Sequence, residues 1–302
     1  MQKIFILGGS GLVGSRVIEL LSADFEVIAP TSAELDLTIE GNFAKYCREN
    51  RSKLANSTVV NFVAYTNVDG AEKEQGDAQG LVYLLNARLP GEIAEWCKEM
   101  DERFIHISTD YVFDGEKSDV AYVEDDKTNP LGWYGKTKLM GEELVQKSES
   151  RNVILRIEMP YGSRSEKKKD LATILLERLK NAQPIQAVSD AHITPVYIDD
   201  LAMILKKVVV QQDVVGLFHV APTDSVTLEQ LVRLIAKHAQ LDDSLVTTIS
   251  FVDYWKEKLA SGVAKRPQDS WLSSAALQKC IGSEHFHTVE ENIQTWVDQL
   301  EI

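Results

Sequence analysis

An α/β fold built on a doubly wound parallel sheet is predicted by three observations. Residues 3–7, Lys-Ile-Phe-Ile-Leu, form a short apolar run that leads into Gly8-Gly9-Ser10-Gly11-Leu12-Val13-Gly14 and an amphipathic stretch at 15–22. Apolar runs then alternate with helix-periodic stretches through the first 160 residues. One such run ends in Ser108-Thr109-Asp110, and Tyr134-Gly135-Lys136-Thr137-Lys138 opens a later helical stretch.

The elements follow in order. Residues 25–29 read as the second strand, 39–50 as a short helix, 58–62 as the third strand and 78–99 as a long helix. Residues 104–107 are the next strand, 132–148 the next helix, and 153–156 a further strand. Strands and helices at this spacing give a parallel sheet covered on both faces, with right-handed crossovers. Ligands of such sheets bind beyond the carboxyl ends of the strands, where Gly8, Ala64, Thr109 and Met159 fall. The expectation is a Rossmann-like dinucleotide-binding domain in residues 1–160. Residues 161–302 would form a smaller substrate-binding region interleaved with late sheet elements. There, helices are expected at 168–180, 199–210 and 227–239 and strands at 185–188 and 217–220, punctuated by Pro184, Pro195, Pro222 and Pro267.

The glycine turn fits a dinucleotide. Gly8 permits the tight turn, Gly11 lets the backbone approach a diphosphate, and Gly14 allows close helix–strand packing. The first helical N–H groups would receive the phosphates. On a helix, Tyr134 and Lys138 share one face, with roughly 5–6 Å between Cβ atoms. The lysine would favour the phenolate and hold a ribose hydroxyl, while the Thr109 hydroxyl would hold a carbonyl oxygen for Tyr134 to protonate. An ordinary surface Tyr and Lys is the competing reading of that spacing alone.

Composition narrows the function. The chain has 302 residues, 44% hydrophobic and 26% charged, with no apolar run of membrane-spanning length. With an opening strand instead of a signal peptide, a cytoplasmic location is expected. Cys47, Cys97 and Cys280 are too scattered for disulfides or a thiolate metal site, and His106, His192, His219, His285 and His287 show no metal spacing. A net charge of −14 argues against a nucleic-acid or membrane surface. Anionic ligands then need local positive charge, supplied by Arg164, Lys167, Lys168 and Lys169 or by Lys265-Arg266. The first group reads more readily as a solvated surface loop, and Arg266 is the better candidate. At the tip of the second strand stands Pro30-Thr31-Ser32, with no acid before Glu34, which favours NADPH over NADH although no Arg or Lys is present there either.

These segments resemble the dTDP-4-dehydrorhamnose reductase family of extended short-chain dehydrogenase/reductases. The likeness runs through Glu34-Leu35-Asp36-Leu37, the stretch from Val60 to Glu72, STDYVFDG at 108–115, NPLGWYGKTKLMGE at 129–142, and Arg266-Pro267 with Trp271-Leu272. It implies a catalytic set of Thr109, Tyr134 and Lys138. It also implies cofactor contacts at Gly8, Ser10, Gly11, Leu12, Val13, Asp36, Leu37, Ala64, Tyr65, Asn86 and Lys138. Thr66, Val68, Tyr111, Met159 and Arg266 would face the sugar, although Val68 reads equally as core and Tyr111 as loop filler. Asp69 and Glu72 read as caps, and Asp110 and Asp114 as acceptors that hold loops.

Two departures stand out. Met159, in Glu158-Met159-Pro160-Tyr161-Gly162, occupies the place of the family's usual tryptophan, and Ala191-His192-Ile193-Thr194-Pro195 replaces a Gly-x-Pro-Thr segment. Val63 also replaces a smaller alanine. The resemblance implies NAD(P)H-dependent reduction of a 4-keto nucleotide sugar, with a homodimer possible and no metal specified. The alternatives are a nucleotide-sugar epimerase with tightly bound NAD and a non-catalytic regulatory subunit like the beta subunit of methionine adenosyltransferase.

Overall fold

The structure is a computed structural model that describes residues 1–148, 151–164 and 168–300. Five strands of the first half are β1 (Lys3–Leu7), β2 (Glu26–Ile28), β3 (Ser57–Asn61), β4 (Arg103–Thr109) and β5 (Asn152–Ile157). The second half adds β6 (Ile185–Val188), β7 (His192–Ile193), β8 (Gly216–His219), β9 (Val226–Thr227) and β10 (Val246–Ile249). The main sheet is wholly parallel, in the order β2-β1-β3-β4-β5-β8.

Side chains alternate across each strand, so a sheet covered on both faces needs apolar residues at successive positions. β1 does this. Ile4 and Ile6 enter one core with Val17 and Leu21 of the helix Leu12–Leu21 and with Leu201 and Leu205 of the helix Ile198–Val210. Phe5 and Leu7 enter the other, with Phe43, Ile93, Cys97 and Val145. A third core lies in the second half, where Leu175, Ile185, Ile235 and Trp296 pack together.

β8, from the second half of the chain, completes the main sheet beside β5. Arg16 joins the halves as well: its buried guanidinium meets Asp199 through two hydrogen bonds of 2.8 and 2.6 Å. Among the described residues no helix is long and apolar enough to cross a membrane.

Three differences from expectation have physical causes. The helix expected at 78–99 begins at Leu81 and carries a π-helical turn at Leu84–Arg88 before Leu89–Met100. Pro90 lacks the N–H that would bond the Asn86 carbonyl, which breaks the regular ladder. β6 falls at the expected 185–188, but the two-residue strands β7 and β9, which pair with each other, and β10, which pairs with β6, were not expected, the first two being too short to leave a periodic signal. Helices Phe251–Ala260, Ala275–Ile281 and Val289–Asp298 were not expected. The last opens on a capping box, Thr288 with Glu291, which is legible as T-x-x-E.

Candidate active site

The carboxyl ends of β1, β3, β4 and β5 open onto a cavity of about 400 Å³. Gly8, Gly11, Leu12 and Val13 of the glycine turn line it, with Ala64, Thr66 and Val68 from the loop after β3. Thr109 and Tyr111 enter from the end of β4, Tyr134 and Lys138 from the helix Trp133–Lys147, and Met159 from the loop after β5. Four sequence regions therefore meet in one crevice. A larger open groove of about 770 Å³, beside Phe43, Trp96 and Leu144, contains none of the chemical groups singled out above.

The glycine turn is shaped by close approach. A Cβ on Gly14 would lie 2.4 Å from the Gly8 carbonyl oxygen, which is backbone and cannot yield. The helix starting at Leu12 has no acid in its first turn and no side-chain cap from any described residue. Its first N–H groups and the positive end of its dipole thus face the cavity, and they suit a diphosphate. These residues fit a dinucleotide.

The helix that carries Tyr134 sits unusually near the loop after β4. A Cβ on Gly135 would lie 2.2 Å from the Tyr111 carbonyl oxygen, so only glycine lets Tyr134 reach its place. The Tyr134 ring meets Tyr111 edge-on, with centroids 5.5 Å apart, and the Thr109 hydroxyl faces the Tyr134 phenol. Burial pushes Tyr134 up to about 12, which keeps it a proton donor at neutral pH. Lys138, also buried, is pushed down to about 8 by loss of water. Its Nζ donates to the Ile107 carbonyl at 2.7 Å.

Asn86 is fully buried, and its amide is engaged within the protein: Oδ1 accepts from Tyr65 N–H at 2.8 Å and Nδ2 faces Thr137 at 3.1 Å. It holds the Tyr65 loop against the helix Trp133–Lys147. Ser10, Asp36, Leu37 and Tyr65 lie outside the cavity's lining. Asp36 Oδ1 accepts from the N–H and hydroxyl of Thr38, and Glu34 accepts from those of Thr31. Asp114 holds its loop as expected, accepting from Glu116 N–H and the Tyr122 hydroxyl. Asp110 is buried, and its Oδ1 faces the Thr109 hydroxyl at 3.0 Å. Glu72 accepts from Trp133 N–H at the start of the helix Trp133–Lys147, while Asp69 binds Arg266 at 2.8 Å.

Of the basic residues, Lys168 reaches over the cavity to the Thr66 hydroxyl at 2.9 Å. Arg164 and Lys169 pair with Glu19 and Glu177, and Lys167 lies outside the described residues. Arg266 lines an adjoining cavity of about 210 Å³, which shares Asp110, Tyr111 and Met159 with the first and adds Phe251, Tyr254 and Trp255. Met159 stands between the two cavities with a φ of +40°, a left-handed conformation that a side chain other than glycine adopts at a cost of order 1–3 kcal/mol. That turn keeps Glu158 inside and Met159 on the cavity walls.

A family profile for the RmlD substrate binding domain matches residues 1–302. The chain belongs to that family. A dTDP-4-dehydrorhamnose reductase of Aggregatibacter actinomycetemcomitans is 30% identical over 294 residues, covering 93% of this chain and 94% of its own length. The crystal structure of a dTDP-4-dehydrorhamnose reductase from Clostridium acetobutylicum ATCC 824 superposes with a TM-score of 0.86 at 26% identity, covering 99% of this chain and 100% of that one. One from Bacillus anthracis str. Ames, in complex with NADP, shares the fold with a TM-score of 0.86 at 24% identity, covering 99% of each chain. As an RmlD-family chain, this one carries the parallel Rossmann-like sheet with its smaller accessory region. Thr109, Tyr134, Lys138 and the glycine turn stood out in the sequence; Glu158, Thr194, Ser270 and the aromatic cavity did not. The nearest sequence signals to these were the departures at Met159, next to Glu158, and at 191–195, which contains Thr194.

Proposed function

We propose that this chain is an NAD(P)H-dependent reductase of a 4-keto nucleotide sugar, with NADPH preferred and Thr109, Tyr134 and Lys138 as its catalytic residues. The carrying observation is that these three side chains line one cavity with an uncapped, glycine-flanked helix start. Bound NADPH supplies the hydride. Thr109 donates to the ketone oxygen and steadies the charge that develops there. Tyr134, neutral because it is buried, gives that oxygen its proton. Lys138 holds a ribose hydroxyl and favours the phenolate that Tyr134 becomes.

The adjoining cavity suits the nucleotide end of the substrate. Its aromatic side chains offer a stacking surface, and the Arg266 guanidinium, 5.3 Å from the Trp255 ring centroid, supplies positive charge for a diphosphate. The preference for NADPH is supported by the tip of β2, where the Glu34 and Asp36 carboxylates are engaged with Thr31 and Thr38 rather than free for a ribose hydroxyl.

The test is NADPH absorbance with a panel of nucleotide-linked 4-keto sugars, each repeated with NADH. Oxidation matched by formation of the alcohol supports the reading. Isomerisation with no net oxidation would instead mark an epimerase.

A further inference from the structure

Directly behind Thr109, four residues distant in sequence close a buried polar cluster. Asp110 and Glu158 are 2% and 0% exposed. Glu158 Oε2 accepts from the N–H of Thr194 at 2.6 Å and from its hydroxyl at 2.7 Å, and Oε1 accepts from the Ser270 hydroxyl at 2.7 Å. The Ser270 side chain also faces Asp110. Asp110 Oδ1 meets the Thr109 hydroxyl at 3.0 Å, while Oδ2 takes a hydrogen bond from no described residue.

The surrounding groups supply little compensating charge. Tyr111 adjoins Asp110, Tyr134 faces it from the catalytic helix, and Arg266 acts on Tyr111 from the 264–272 segment but is bound to Asp69. Two carboxylates in so dry a place do not both ionise. Glu158, with three hydrogen bonds donated to it, is the better anion. Asp110, with an unbonded oxygen, is the better place for a proton. A proton on Asp110 lets its carboxyl donate to Ser270 while Ser270 donates to Glu158.

We propose that Asp110 and Glu158 hold one proton between them through Ser270, and that this keeps the Thr109 hydroxyl free to donate to the ketone oxygen of the substrate. The second half rests on the role given to Thr109 above. A threonine hydroxyl has one hydrogen to give. An ionised Asp110 captures it in a charge-assisted bond, roughly twice as strong as one to a neutral acceptor. A neutral Asp110 competes for it no better than the ketone does. Burial and the neighbouring Glu158 both raise the proton affinity of Asp110, in the required direction. Asp110 is thus a positioning residue, and Glu158, in the strained turn before Met159, sets its state.

Two experiments test this. In the cofactor-free protein, infrared spectra at pH 7 are expected to show a protonated-carboxyl C=O band that disappears in Asp110→Asn; a wild-type spectrum without that band overturns the shared proton whatever the activity. In the second experiment, Glu158→Gln removes the charge that keeps Asp110 neutral. Its kcat at pH 7 is expected to fall about 10²-fold, the size of losing one oxyanion donor, and to recover on acidification. Adding Asp110→Asn to Glu158→Gln is expected to restore much of the loss, which damage to packing would not allow. A double variant as slow as Glu158→Gln overturns the role given to Asp110. A wild-type protein inactive on every keto sugar would instead defeat the reductase reading and leave the infrared result to decide the shared proton.

Discussion

Lys138 Nζ lies 3.3 Å from His106 Nε2, and the hydrogen bonds around the pair dictate its polarity. Asn61 Oδ1 accepts from Val63 N–H, so its amide nitrogen faces His106 Nδ1 as the donor, at 3.3 Å. Neutral His106, its charged form suppressed by burial, then carries its proton on Nε2 and presents it to the lysine. An amine accepts that proton; an ammonium cannot. Contact and burial together press Lys138 toward its neutral form.

Lys138→Met is therefore expected to abolish turnover while stabilising the cofactor-free protein. The lysine titrates near 8 when folded against 10.5 when unfolded, so at pH 7 its buried charge costs about 3 kcal/mol. Losing the bond to the Ile107 carbonyl offsets about 1 kcal/mol of the gain. The sign follows from proton binding. Between pH 8 and 10.5 the unfolded chain holds the proton and the folded one does not, so the wild type gains stability and the gap closes. Urea unfolding at pH 7 and pH 10 measures it; an unchanged gap contradicts it.

Glu142, which ends the YGKTKLMGE motif, meets Arg156 of β5 through two hydrogen bonds of 2.9 and 2.6 Å, both side chains almost wholly buried. Glu142→Ala leaves that guanidinium buried without its carboxylate. The expected loss is about 3–5 kcal/mol in urea unfolding. A loss below 1 kcal/mol would show that water or another acid takes its place.

Gly14→Ala places a methyl group against the Gly8 carbonyl and forces the glycine turn from the start of its helix. Cofactor affinity, read by fluorescence titration, is expected to weaken at least about tenfold, consistent with 1.4 kcal/mol or more of lost binding. Affinity equal to wild type would place the diphosphate elsewhere.

Arg266→Ala is expected to raise KM for the nucleotide sugar about tenfold with a smaller change in kcat, since one charge-assisted bond contributes about 1.5–3 kcal/mol of binding. A fall in kcat at constant KM would move Arg266 from binding to the chemical step.

How much of this was legible in the sequence depends on separation along the chain. β1, the glycine turn, Thr109 and the Tyr134–Lys138 pair are each local patterns, and strand alternation alone carries them to one edge of the sheet. Asp110 reads in the sequence as a loop acceptor, and its carboxyl does take a bond from its own backbone N–H; its other neighbours, Glu158 and Ser270, come from two distant segments and meet it only in the fold. Asn86 was expected at the cofactor, but its amide is engaged by Tyr65 and Thr137. The aromatic cavity was missed for a related reason: Phe251, Tyr254 and Trp255 sit on a helix that the sequence reading left unassigned.

The central claim is that this site moves a hydride to a sugar ketone and that Tyr134 supplies the proton. The most direct measurement uses NADPH deuterated at its transferring carbon with the preferred 4-keto nucleotide sugar, followed by mass spectrometry of the product. A reductase of this design yields an alcohol carrying one deuterium, one NADP formed per product, and a rate that collapses in Tyr134→Phe. Product without deuterium, or full turnover by Tyr134→Phe, would contradict it.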